Sequence, residues 1–256
     1  MSYYLVTLIA LFIYMNLWFI VALIKKRNDV ADIAWGLGFV LLAWLAFFLG
    51  AQESVGLLVA LLVTLWGGRL AFHIYKRNHQ KPEDYRYQKW RQEWGVWVYA
   101  RSYFQIFILQ GALLYIIALP ILLINQGYQY ELSHVMILGM FVWMIGFVFE
   151  VVGDKQLAQF VSDARNKGKI LQTGLWRYTR HPNYFGEVAQ WWGIWIIALG
   201  APMGVYAIIS PLLITFLILK VSGVPLLEEK LKRNPEFAQY AARTSTFIPW
   251  FVKNNS

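Results

Sequence analysis

The sequence predicts an all-α integral membrane protein of about seven transmembrane helices, with its N-terminus outside and its C-terminus in the cytoplasm. Three observations predict it. Hydrophobic residues make up 59% of the chain and charged residues only 14%, where a soluble domain carries about a quarter charged. Seven apolar stretches approach the roughly 20 residues needed to cross a hydrocarbon core of about 30 Å. Nearly all the Lys and Arg residues fall in alternate connections between those stretches. The same composition excludes a soluble enzyme and a disordered chain. With no Cys, it also excludes a disulfide-stapled secreted module and a thiolate metal site. A length of 256 residues suits a single membrane domain, 1–256.

The stretches are 3–24, 33–50, 55–72, 103–124, 135–152, 186–199 and 203–219. The first has no basic leader and no small-residue cleavage site, so it is expected to be a retained helix rather than a signal peptide. Between the third and fourth stretches, Glu83–Trp94 mixes aromatic rings with both charge signs. Trp90 and Trp94 are one turn apart there, which predicts an interfacial helix. The sixth stretch is short unless residues 183–185 belong to it. Pro182, whose fixed φ and missing N–H suit a first helical turn, places the start of that helix close to Asn183. Gly200-Ala-Pro202 then predicts a tight turn before the last stretch. Beyond it, Leu226, Leu227, Leu231 and Phe237 predict short amphipathic pieces on the cytoplasmic face.

Charge placement tests the drawing independently. The connections 25–31, 74–102 and 153–183, together with the tail from Lys220 to Lys253, hold 22 of the 23 Lys and Arg residues. The remaining one, Arg69, lies inside the third stretch near the same side. The opposite side carries only Glu53 and Glu131. Such one-sidedness sets orientation by the positive-inside rule. The net charge of +9 is thereby explained without nucleic acid as a partner.

Ionisable residues at membrane depth are costly and point to function. Trp66, Arg69, His73 and Arg77 form a stripe on the third helix. Asp29 and Asp32 open the second, and Glu150 and Asp154 are one turn apart on the fifth. A plain structural alternative is that Arg69 pairs with Asp32 or Glu150 to lock helices together. The richest segment is 174–187. Arg177, Arg180 and His181 precede the helix begun by Pro182, whose free N–H groups make an anion site suited to phosphate or carboxylate. Asn183, Glu187 and Gln190 then share one face of an otherwise apolar helix. Glu228 and Glu229 in the tail either cover this site or form a solvated face.

The octapeptide Arg180-His-Pro-Asn-Tyr-Phe-Gly-Glu187, in the context of Gly174-Leu-Trp-Arg-Tyr-Thr, resembles the signature of the steroid 5-alpha-reductase superfamily. The likeness is nearest to the superfamily's bacterial branch. Trp66-Gly-Gly-Arg69, Glu83-Asp-Tyr-Arg-Tyr87, Gly153-Asp154 and the tail Phe247-Ile-Pro-Trp250 are similar as well. The resemblance implies seven helices in a bacterial inner membrane and an NADPH site open to the cytoplasm, carried by the C-terminal half (about 135–256). It also implies reduction of an activated C=C bond in a lipid- or steroid-like substrate that enters from the bilayer. Carried over by position, Asn183 and Glu187 contact the nicotinamide end. Arg180, His181 and Tyr184 lie close to the cofactor, Asp154 holds its polar groups, and Arg69 and Tyr240 join them. In the steroid enzymes a Gln-Glu pair on the second helix and a third-helix Tyr serve the substrate carbonyl. This chain departs there, offering Asp29 and Asp32, then Trp66 or His73. Asp32 and Glu187 are accordingly the candidate catalytic residues.

A similar Arg-His-Pro-x-Tyr element occurs in membrane methyltransferases of isoprenylcysteine and phospholipids, where it binds S-adenosylmethionine. A non-enzymatic lipid-binding or transport protein is the third possibility. Its expected sign, inverted repeats with matching broken helices, is absent from the sequence.

Overall fold

A computed structural model describes residues 2–126 and 133–252. Glu131 and Lys253, which entered the charge argument, lie outside the described residues. Among these the chain is helical, without strands; one isolated bridge joins Thr179 to Ser245. Six helical runs are long and apolar enough to cross a membrane: Tyr3–Lys25, Val30–Leu49, Ser54–Asn78, Tyr85–Ile117, His134–Ser162 and Gly204–Leu231. The protein is an all-α integral membrane protein. The helix expected over the sixth stretch is present as well, but at 17 residues it spans only about 25 Å at the usual rise per residue.

The chain forms two compact units, Met1–Leu132 with Gly200–Ala207, and Ser133–Leu199 with Ile208–Ser256. In the first, α1 (Tyr3–Lys25), α2 (Val30–Leu49) and α3 (Ser54–Asn78) precede a longer run. That run is α4 (Tyr85–Trp94), α5 (Val98–Arg101), a π-helical stretch Ser102–Ile108, and α6 (Leu109–Ile117). Ala118 then breaks the helix before α7 (Leu119–Ile124), which has Pro120 in its first turn. The core holds Phe39 against Trp66, their rings 5.5 Å apart, together with Leu42, Phe107, Leu114 and Ile121. The α2 helix begins three residues before its apolar stretch, because the carboxylates of Asp29 and Asp32 are bonded and need not leave the helix. The helix expected over Glu83–Trp94 is α4. Asp84 caps it by accepting from the Arg86 N–H at 3.0 Å, and the Trp90 and Trp94 rings stack 5.7 Å apart.

In the second unit α8 (His134–Ser162) runs ten residues beyond its apolar stretch and so carries Asp154 and Gln156 on a helical scaffold. It packs antiparallel to α9 (Pro182–Ala198). Gly139 faces Gly193, Gly146 faces Gly186, and Gly153 faces Pro182 and Asn183. A Cβ added at Gly139 would stand 2.7 Å from the Gly193 carbonyl oxygen, and one at Gly146 would stand 2.6 Å from that of Gly186. The two backbones therefore touch, as small residues permit between membrane helices. Pro182 sits in the first turn of α9, as expected. After α10 (Ile209–Phe216) and a π-helical turn come the short tail helices α11 (Val224–Leu231) and α12 (Pro235–Arg243). Phe237 and Tyr240 of α12 are buried, and Asn234 caps it on the Glu236 N–H at 2.9 Å.

Candidate functional site

The candidate residues fall in both units. Asp32 and Arg69 belong to the first; Asp154, Arg177, Arg180, His181, Asn183, Tyr184, Glu187 and Tyr240 belong to the second.

In the second unit the Gly174–Arg177 turn leads into an extended strip that the tail returns to cover. The Arg180 N–H donates to Ser245 O at 2.9 Å, the Trp250 N–H to Tyr178 O at 3.0 Å, and the Thr179 hydroxyl to Phe247 O at 2.8 Å. Arg180 is buried in this clasp. Its Nε donates to Glu228 Oε1 at 2.8 Å, Nη1 to the carbonyls of Ala241 and Thr244 at 3.0 and 2.9 Å, and Nη2 to the Thr246 hydroxyl at 2.8 Å. A guanidinium has five N–H donors, and four of these five are turned into the tail. The ring of Phe237 lies 5.8 Å beneath it. Arg180 is thus placed to hold the tail rather than to face a ligand with its whole fork. Glu228, one of the two tail carboxylates, is the charge that balances it; Glu229 is exposed.

His181 is buried beside the same carboxylate, its Nε2 3.2 Å from Glu228 Oε1. The Tyr184 ring stacks on it at 5.6 Å. Burial holds the His181 imidazole below its ordinary range, and Arg180 adds to this, while Glu228 works against it. The imidazole is therefore neutral at pH 7. A histidine depressed on folding gives stability that is complete above its unfolded value of about 6.5 and is lost as pH falls through the folded value. The melting-temperature difference between the parent and His181→Gln is accordingly expected to be flat above pH 7 and to narrow under more acid conditions. A difference that stays constant down to pH 5 would remove His181 from this role.

Deeper along α9, side-chain amides meet carboxylates of α8. Asn183 Nδ2 donates to Asp154 Oδ1 at 3.1 Å, and Gln190 Nε2 donates to Glu150 Oε2 at 2.5 Å and to Gly186 O at 3.2 Å. Glu150, Gln190 and Asp154 are buried; Asn183 and Glu187 are half-buried. Asn183 Oδ1, Gln190 Oε1 and His181 Nδ1 are buried atoms with no hydrogen-bond partner among the described residues. An unsatisfied buried acceptor is costly, so each is a place where a ligand donor gains most. Tyr240, buried in α12, donates its hydroxyl to Trp176 O at 2.5 Å, and the Trp176 indole donates to Gly153 O at 3.2 Å. Burial raises the Tyr240 phenol above its ordinary range, so it stays protonated.

In the first unit Asp32 has two hydrogen-bond partners among the described residues, both on α4. Its Oδ1 accepts from the Tyr87 hydroxyl at 2.6 Å and its Oδ2 from Arg86 Nη2 at 3.0 Å. Asp32 is therefore not locked to Arg69. Asp29 accepts both arms of Arg27 at 2.6 Å and the Asp84 N–H at 3.1 Å. Burial works against the Asp84 carboxylate, but its bonds from Arg86 hold it below the usual carboxylate range. Glu83 receives Arg91 at 3.1 Å. Arg69 is half-buried on α3, Trp66 is buried, and Arg77 is exposed with its Nε on Asn78.

That Arg86 and Tyr87 meet Asp32 is not legible in the sequence, where Arg243 reads only as one basic residue of the tail. Arg243 faces the same cavity as Arg177. The glycine register of α8 and α9 does have a sequence signal, a seven-residue spacing at 139, 146 and 153 matched at 186 and 193.

An uncharacterised protein of Schizosaccharomyces pombe is similar to this chain, 29% identical over 160 residues, which cover 53% of this chain and 46% of that protein. The matched region thus spans about half the length of that curated relative. No solved structure matches. Residues 18–244 match the family described as "Protein of unknown function (DUF1295)", which is associated with the steroid 5-alpha-reductase-like superfamily, and the chain belongs to that family.

Proposed function

We propose that the protein is an NADPH-dependent membrane reductase of an activated C=C bond in a hydrophobic, lipid-like substrate drawn from the bilayer. One observation carries the reading. On α9, in an apolar setting, Asn183 is oriented by Asp154 so that its amide donates inward and leaves a buried Oδ1 acceptor unpartnered. That acceptor suits the carboxamide N–H of a nicotinamide. Gln190, held likewise by Glu150, offers a second one. The residues present thus fit the group. When bound, the cofactor supplies a hydride. Asn183 and Glu187, one turn apart, bind and orient its nicotinamide end, and Tyr184 flanks them. Arg180 and His181 position the start of α9 through Glu228, and Arg177 supplies positive charge for phosphate.

The oxygen of an enone gains charge as hydride reaches its β-carbon, and a positioned acid must stabilise it. Asp32, the carboxylate proposed to serve that oxygen, accepts in both of its bonds and is held by Tyr87 and Arg86 within the first unit. The one-sided Lys and Arg residues support an N-terminus outside and a cofactor region facing the cytoplasm.

Purified protein is expected to bind NADPH in the micromolar range, read by energy transfer from its Trp residues to the reduced nicotinamide. Asn183→Ala and Glu187→Ala are each expected to weaken binding about tenfold, the effect of losing one or two hydrogen bonds, without unfolding the chain. Asp32→Asn is expected to bind NADPH as the parent does but to lose reduction of a hydrophobic cyclic enone. Tight S-adenosylmethionine binding without NADPH binding reverses the reading in favour of a methyltransferase. Binding of neither favours a lipid-binding protein.

A further inference from the structure

Two arginines of the second unit stand outside the clasp that Arg180 forms. Arg177 ends the Gly174–Arg177 turn, and Arg243 ends α12, 66 residues later in the chain. Both line one cavity of about 370 Å³, a size at the lower end of small-molecule sites. The cavity is completed by Gln172, Thr173, Gly174, Tyr240, Thr244 and Val252, and among the described residues no carboxylate lines it. Neither guanidinium has a hydrogen bond or ion pair with a described residue, whereas neighbouring Arg180 spends four of its N–H groups inside the protein.

The two segments are tied together at the backbone. The Tyr240 hydroxyl donates to Trp176 O at 2.5 Å, and the Thr244 hydroxyl donates to Arg177 O at 3.5 Å. These bonds end on Trp176 and Arg177 on one side and on Tyr240 and Thr244, which flank Arg243, on the other, so both side chains project from tethered backbone. Two like charges brought to one cavity repel, and an anion between them turns that repulsion into attraction. Guanidinium forks match phosphate oxygens bidentately, which a carboxylate-free, hydroxyl-bearing lining complements.

We propose that the Arg177–Arg243 cavity is a phosphate-binding site. The site stands on the cavity itself; naming a dinucleotide as carrier of the phosphate rests on the reductase reading. An anionic lipid headgroup offers the same chemistry.

The test uses the full chain in detergent with three probes: inorganic pyrophosphate, adenosine 2′,5′-bisphosphate and nicotinamide mononucleotide. Retention of phosphatidylglycerol is followed by native mass spectrometry. Arg177→Gln and Arg243→Gln are expected to weaken pyrophosphate binding about tenfold each, and the double variant to abolish it. Both side chains are exposed, so melting temperature should hold and folding should not intrude. Arg→Lys variants should recover only part of the affinity, since the ammonium keeps the charge but not the fork. If the bisphosphate weakens in parallel while the mononucleotide does not, the site is supported and its carrier is the dinucleotide. If the parent binds no bisphosphate but the double variant loses phosphatidylglycerol, the site is supported and the reductase reading fails. Unchanged binding of pyrophosphate, bisphosphate and lipid in the double variant overturns the proposal.

Discussion

Arg180→Ala is expected to release the C-terminal tail and to cost about 3–5 kcal/mol of stability, the range for removing one partner of a buried ion pair. The substitution leaves the Glu228 carboxylate without its guanidinium, and leaves the carbonyls of Ala241 and Thr244 and the Thr246 hydroxyl without a donor. Phe237 loses the cation stacked on its ring as well. Backbone bonds from Arg180 and Trp250 remain but span a strip too short to hold α12 alone. Hydrogen exchange across residues 237–247 should rise sharply, and trypsin should cut after Arg243 at a concentration that spares the parent. Glu228→Gln keeps the hydrogen-bonding shape and loses only the charge, so its effect should be a fraction of that. Unchanged exchange in Arg180→Ala, with cofactor affinity lost, would restore Arg180 to the role of direct phosphate ligand.

Gly146→Leu is expected to force α8 and α9 apart. Even a methyl group there would stand 2.6 Å from the Gly186 carbonyl oxygen and 2.8 Å from the Gln190 N–H nitrogen, both backbone atoms that cannot rotate away. Overpacking of a close-packed contact costs about 1–3 kcal/mol for modest insertions, so Gly146→Ala should lie within that range and Leu above it. The Gln190–Glu150 bond spans the same contact and should break with it. Loss of NADPH binding in Gly146→Ala is therefore an expected secondary effect, through displaced amides. Gly68→Ala is the control: an added Cβ meets nothing within 4 Å, and Ala is about 1 kcal/mol better than Gly inside a helix. Equal melting temperatures for Gly146→Ala and Gly68→Ala would refute the close approach.

Much of the architecture was legible because a membrane imposes length and polarity on every segment. The apolar stretches located the spans to within a few residues at most ends, and Pro182 located the start of α9. The extension of α8 past Val152 was not legible, because polar residues such as Asp154 and Gln156 look like a loop until a packed neighbour satisfies them. The shortness of the sixth stretch was legible, and α9 is 17 residues long. Its close packing against α8 is what stabilises it.

For the candidate site, local chemistry could be read and partnership could not. The run from Arg177 to Glu187 announced a cluster of cations, amides and carboxylates from residue type and helical spacing alone. Those signals are local, since side chains three or four apart on a helix share a face whatever else the chain does. The tertiary structure decided which members are committed to each other. Arg180 meets Glu228 across 48 residues, Asp32 meets Tyr87 across 55, and Arg177 shares a cavity with Arg243. A pattern of periodicity has no term for such distances. The sequence by itself therefore determined that the protein spans a membrane and which residues carry charge near its surface. Only the fold decided that Arg180 is bound into the tail while Arg177 and Arg243 line one cavity, because burial and pairing are set by what packs against a residue and not by its neighbours in the chain.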